Sequence, residues 1–396
     1  GAGTVNDDLI AYHAARGCGG VGLSVIETLA IHPSCPGPTI NIFRDGVEDG
    51  YRRLMDTIRP TGMKMFQQLW HAGHNSVPLD GGPAWSSSDT PGPYAYAGTP
   101  SIPMTKGMID EIVGAYANAS RKMALWGLDG VEVHAAHGYL PAQFLSPNTN
   151  FRTDDYGGPF ENRIRFLHEI MVAVRDAVPK GFPVGIRMAP DDMPNGLGVE
   201  ENLEAIKYLE ARGLIDYINI SLGNAQTMRR TLAGMHEPTG YEMATSAPIT
   251  RRVNLPSIVT GRFRTLEEAD QVIRSGDASM VSFVRALVAD PDLVTKTLAG
   301  HPEQVRPCIA CNQGCHARVW EPPFRMGCAI NVGAGFEQTL GDDKLLKTDK
   351  PKRVLVVGGG PAGMEAARVA ALRGHNVTLA EASPKLGGTI LLAAKA

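Results

Sequence analysis

The first two-thirds of the chain alternates short apolar strands with amphipathic helical stretches, and that alternation leaves few folds open. Strand-like runs are Val21 to Glu27, Lys64 to Leu69, Gly130 to His134, Pro183 to Met188, Tyr217 to Ser221, Ser257 to Thr260 and Met280 to Val284. Helical patterns lie between them, at Ile109 to Leu125, Phe160 to Ala177, Glu200 to Ala211 and Leu266 to Ser275. Thr265 and Glu268 stand three apart at the start of the last, the spacing of a capping box. Parallel strands need crossover connections, usually helices, so the pattern predicts repeated βαβ units. The seven runs are one fewer than a (β/α)8 barrel needs. The expected fold class is α/β, a TIM barrel whose first strand would precede residue 1.

Composition narrows the function classes. Hydrophobic residues make up 43% and charged residues 20% of 396, the balance of a core-forming protein. A formal charge of -3 gives no reason to expect nucleic acid or an anionic membrane as partner. No apolar run reaches the ~18 residues that a membrane span needs.

Four of the six cysteines fall in one short window, as Cys308, Cys311, Cys315 and Cys328. Their spacing, C-x2-C-x3-C-x12-C, suits ligands that close around a compact centre. Thiolates are soft donors, and four of them fit a [4Fe–4S] cluster or a structural zinc ion equally well. Such clustering belongs to a reducing compartment, so a cytoplasmic location is expected.

Composition changes at Gly335 to Lys352, which is polar and reads as a linker. A new βαβ pattern follows: a buried strand from Val354 to Val357, then Gly358-x-Gly360-x-x-Gly363, a helix to about Arg373, and a strand from Asn376 to Ala380. The glycines permit a tight turn and close approach of a pyrophosphate to a helix N-terminus. Glu381, at the end of the second strand, is placed to take ribose hydroxyls, which points to FAD or NAD rather than a phosphorylated ribose. The expected organisation is a barrel over 1–303, a cysteine segment over 304–334, a linker over 335–352 and the start of a nucleotide-binding domain over 353–396.

His134, His137 and Tyr139 cluster just where the third strand run ends. The C-terminal ends of barrel strands carry the active site, so these three read as substrate-side donors. A metal reading of His-x-x-His is weaker, because no acid nearby completes a site.

The stretches "QLWHAGH", "HAAHGYLPAQFLSPNTNFRTDDYGGPFENR" and "CIACNQGC", followed by "GGGPAG", occur here in one order. Together they resemble the multidomain branch of the Old Yellow Enzyme family, which includes bacterial 2,4-dienoyl-CoA reductase and the trimethylamine and histamine dehydrogenases. The resemblance spans nearly the whole chain. It implies an FMN-bearing barrel, a [4Fe–4S] cluster rather than zinc, and a domain for FAD or a related ADP-like nucleotide, with NAD(P)H as electron donor.

Carried over, the resemblance places Gln68 at the pyrimidine edge of FMN and Arg187 near its N1 and C2 carbonyl. Gly261, Arg262, Ser282 and Arg285 would hold its phosphate. Tyr139 would donate a proton, His134 and His137 would grip a substrate carbonyl, and His236 would assist protonation. The implied reaction is NAD(P)H-dependent reduction of an activated C=C bond in a small molecule, such as an enone or a 2,4-dienoyl-CoA. The alternative is an N-methyl amine dehydrogenase or demethylase that passes electrons to a partner protein, with Trp70 and Tyr241 as aromatic walls. A non-catalytic, zinc-stapled barrel is a third reading. Substrate identity and homo-oligomerisation stay open.

Overall fold

A computed structural model describes residues 3–90, 100–320 and 325–393. The outermost limits expected for the first and last domains, residues 1 and 396, lie outside them. The described residues divide into two compact units, up to Asn331 and from Val332.

The first unit is built on one parallel sheet. Seven of its members, in chain order, are β1 (Leu23–Ala30), β2 (Lys64–Trp70), β3 (Gly130–His134), β4 (Val184–Met188), β5 (Tyr217–Ile220), β6 (Ser257–Val259) and β7 (Met280–Val281). Each pairs in parallel with the next, and the two-residue strand Ile40–Asn41 adds to the outer side of β1. Strands of such a sheet are covered on both faces, which is why all five residues of β3 are buried.

Inward positions alternate large and absent side chains. A Cβ on Gly130 would stand 2.7 Å from the Phe66 ring, and one on Gly185 2.2 Å from the Tyr217 ring. The two strand glycines therefore make the room that two neighbouring aromatics fill. The Phe66 and Tyr217 rings lie 5.6 Å apart.

Helices cover the outside. Val47–Ile58 turns Val47, Tyr51, Leu54, Met55 and Ile58 inward, a helical stripe that no strand could bury on one face. Lys106–Leu125 and Arg165–Ala177 pack on one another, with Ile109, Ile112, Tyr116, Phe166 and Ile170 fully buried. At Leu266–Arg274 the capping box forms as its spacing predicts: the Thr265 hydroxyl accepts from the Glu268 amide, and Glu268 accepts from the Thr265 amide.

Several boundaries shift for identifiable reasons. The first strand starts at Leu23 because the Val21 amide bonds Arg16 O, closing the turn after the helix Asp7–Cys18, and it runs on to Ala30 opposite Trp70. The last strand ends at Val281 because Val284 already caps the helix Arg285–Ala289. The stretch Phe160 to Ala177 is broken at Ile164 into Phe160–Arg163 and Arg165–Ala177.

The second unit contains β8 (Arg353–Val357), the helix Pro361–Leu372 and β9 (Asn376–Ala380), with β8 and β9 parallel and in register. Short turns at Glu337–Leu340 and Asp342–Lys344 occupy the segment read as a linker.

Candidate active site

Strands β2 to β5 deliver polar side chains to one end of the sheet. Gln68 and Glu132 are cross-strand partners, as are His134 and Arg187, and Arg187 and Asn219. The His134 Nδ1 accepts from the Ala136 amide at 3.2 Å, which leaves its proton on Nε2. That nitrogen faces His137 Nδ1 at 3.3 Å, and His137 Nε2 lies 3.0 Å from the Ser221 hydroxyl. Arg187 donates to the same hydroxyl at 3.2 Å. Burial pushes both imidazoles well below the usual histidine range, helped for His134 by His137 and Arg187 and for His137 by Arg187. Both rings are therefore neutral at pH 7.

Tyr139 stands edge-on to His134 at 4.8 Å between centroids and edge-on to Trp70 at 5.4 Å. The turn that brings it there uses left-handed backbone at His137 (φ 57) and Gly138 (φ 74). Gln143 fixes this turn against the preceding loop. Its side-chain nitrogen donates to Ala72 O and Gly138 O, and its oxygen accepts from the His74 amide and the Ser86 hydroxyl. A Cβ at Gly73 would lie 2.0 Å from that oxygen. The "HAGH" and "HGYLPAQ" stretches are thus one interlocked structure.

Gln68 donates to Glu132 at 2.6 Å, and Asn219 donates to the other carboxylate oxygen at 3.0 Å. Glu132 is fully buried. Burial raises its pKa, while Arg187 and the two amide donors pull it down. The β1 strand carries a register shift between Ile26 and Leu29, a bulge of the kind that re-aims side chains at a site.

Around the ends of β6 and β7, Arg262 takes left-handed backbone (φ 61) and its side chain bonds the carbonyls of Gly234, Met235 and Glu237. Arg285 donates to Ala233 O at 2.6 Å and to Asn312 Oδ1 at 2.7 Å. Asn312 donates in turn to Leu232 O at 3.1 Å. Gly261 O accepts from the Gly240 amide, and the Ser282 amide bonds Val259 O. His236 is exposed on this loop, and the structure does not join it to His134, His137 or Tyr139. Tyr241 bonds Arg230 O and lies under its guanidinium instead of facing Trp70.

The residues present fit a flavin. Arg187 Nε, Trp70 Nε1 and Arg262 Nε are buried donors with no hydrogen-bond partner among the described residues. Orphan donors of this kind call for an acceptor-rich ligand.

All four clustered cysteines are free thiols and line one pocket, together with Arg285, Asn312 and Gly314. The loop between them takes left-handed backbone at Ala310 (φ 53) and Asn312 (φ 55). A Cβ on Gly314 would meet Gly327 at 2.6 Å, so glycine is needed for the returning segment to bring Cys328 close. Among the described residues no group of three or more His, Cys, Asp or Glu converges on a single metal ion.

In the second unit, Gly358 is left-handed (φ 102) and a Cβ on Gly363 would meet Gly358 O at 1.9 Å. Gly360 caps the helix Pro361–Leu372. Glu381 accepts from the Gly359 amide at 2.6 Å and from the Ser383 amide at 2.8 Å.

Residues 2–304 match the model of the NADH:flavin oxidoreductase / NADH oxidase family. The chain belongs to that family. Residues 322–392 match the pyridine nucleotide-disulphide oxidoreductase family. A metal reductase of Desulforamulus reducens is 39% identical over 99% of this chain and 58% of its own length. A structure of 2-naphthoyl-CoA reductase with 2-naphthoyl-CoA superposes with a TM-score of 0.90 at 31% identity, over 99% of this chain and 62% of that one. Histamine dehydrogenase from Rhizobium sp. 4-9 gives 0.88 at 27% identity, over 96% and 56%. The chain thus spans about three-fifths of the length of these relatives. The order of the two matches is that of the multidomain branch of the Old Yellow Enzyme family, and the matches support FMN and NAD(P)H as cofactors.

Sequence reading passed over Glu132, Asn219, Ser221 and Gln143. Glu132 alone left a signal, a carboxylate inside an otherwise apolar strand run.

Proposed function

We propose that this chain carries the reducing centre of an NAD(P)H-driven oxidoreductase that adds a hydride and a proton across an activated C=C bond. The observation that carries the reading is Tyr139, edge-on to the neutral His134–His137 pair and on the same sheet end as Arg187. FMN, when bound, supplies the hydride. Tyr139 supplies the proton from its phenol hydroxyl. His134 and His137 orient the substrate carbonyl as neutral donors, by exchanging their bonds to each other and to Ser221 for a bond to substrate. Gln68 and Arg187 hold the flavin ring, and Gly261, Arg262, Ser282 and Arg285 its phosphate. His236 would assist protonation by a movement of its exposed loop toward Tyr139.

Cys308, Cys311, Cys315 and Cys328 would hold a [4Fe–4S] cluster, which transfers electrons singly. Their common pocket supports this reading. Gly358, Gly360, Gly363 and Glu381 would hold FAD or a related nucleotide. The substrate is a small molecule with an enone-like or enoyl-thioester group.

A second reading is favoured by the edge-on Trp70–Tyr139 pair, an aromatic wall suited to a methylated ammonium group. Under it the protein oxidises an N-methyl amine and passes electrons to a partner protein. Anaerobic mixing decides between them. Bleaching of the flavin band by NADPH or NADH, followed by reoxidation with an enone or enoyl-CoA, supports the reductase. Bleaching by an amine and none by NAD(P)H overturns it.

A further inference from the structure

The side-chain amide of Gln68 has two faces with opposite chemistry, and only its neighbours decide which one the site sees. Its nitrogen donates to Glu132 at 2.6 Å. The second Glu132 oxygen is taken by Asn219 at 3.0 Å, and Glu132 has no exposure to water. Both Glu132 oxygens accept from amide nitrogens, and this holds the nitrogen of Gln68 inward. The Gln68 oxygen has no protein partner among the described residues. The cross-strand register makes the arrangement rigid: Gln68 lies opposite Glu132, and Glu132 lies opposite Gly185, whose missing side chain admits the Tyr217 ring beneath.

We propose that Glu132 is a positioning residue for the cofactor: by fixing the amide of Gln68, it makes the site present an acceptor that selects the N–H edge of the flavin ring. This rests on the reading that FMN sits at this sheet end. Asn219 completes the device, because it satisfies the remaining carboxylate oxygen and keeps Glu132 from turning away.

The test is binding of FMN and of N3-methyl-FMN to flavin-free protein, for the wild type, Glu132→Gln, Gln68→Ala and the double variant. Loss of one hydrogen bond corresponds to roughly tenfold in affinity. The wild type is expected to prefer FMN over the N3-methyl analogue by about that factor. The preference should collapse in Glu132→Gln, whose own amide lets Gln68 turn over. In the Gln68→Ala background, Glu132→Gln should have no further effect. The flavin absorption band gives a second readout, expected to shift in Glu132→Gln and Gln68→Ala alike.

Equal binding of the two flavins by the wild type overturns the proposal. So does a full Glu132→Gln defect that persists without Gln68, which would mean that the carboxylate acts on Arg187 instead. If Glu132→Gln does not fold, the wild type and Gln68→Ala still decide whether the amide presents its oxygen. Absence of FMN binding by the wild type is a different failure, since it removes the flavin reading itself.

Discussion

At the scale of single residues, the site is a set of groups held in one protonation state. Tyr139→Phe is expected to slow C=C reduction by about 10²–10⁴-fold while flavin reduction by NAD(P)H keeps its rate, measured by anaerobic stopped flow. Buried histidines give a stability signature. Burial, then the charge of Arg16, pushes His13 down to about 3, while in the unfolded chain it titrates near the ordinary value. Below pH ~6.5 the unfolded state therefore takes up a proton that the folded state refuses, and stability falls with pH until about pH 3. In His13→Gln this loss is absent. The unfolding free energy of the variant should gain on the wild type by up to ~1.4 kcal/mol per pH unit from pH 6 to 4, read from urea titrations. The donors His134, His137 and Tyr139 were legible as residue types at a strand end. The bond from His137 to Ser221 was not, because it joins the turn after β3 to the end of β5 across a fold that spacing cannot show.

At the scale of elements, the sequence revealed strands and helices through periodicity, and missed what depends on contacts between them. The capping box at Thr265 is a local device and was readable. Thr265→Ala is expected to cost about 1 kcal/mol, seen as a lower urea midpoint. The strand glycines were not readable, since nothing local distinguishes Gly185 from a glycine in a loop. Gly185→Ala drives a methyl against the Tyr217 ring. It should destabilise by ~1–3 kcal/mol in thermal or urea unfolding, more than Thr265→Ala. Boundaries moved where a neighbouring element claimed the residues, as the helix after β7 claims Val284.

At the scale of the whole molecule, two units of different kind stand in one chain, a parallel-sheet flavin unit and a smaller nucleotide-type unit. If the clustered thiols serve as a relay, Cys311→Ser should lower bound iron and abolish C=C reduction driven by NAD(P)H, while FMN content and dithionite-driven reduction persist. Iron analysis with paired assays checks this. Residues 232–237 show how the flavin unit is tied together: Arg262, Arg285 and Asn312 all grip carbonyls of that loop, not its side chains. Any residue supplies a carbonyl. Met235 and His236, both exposed, can therefore be exchanged without loosening the anchorage. For directed evolution this is an unusually permissive loop: a library at these two positions should leave folding yield largely intact.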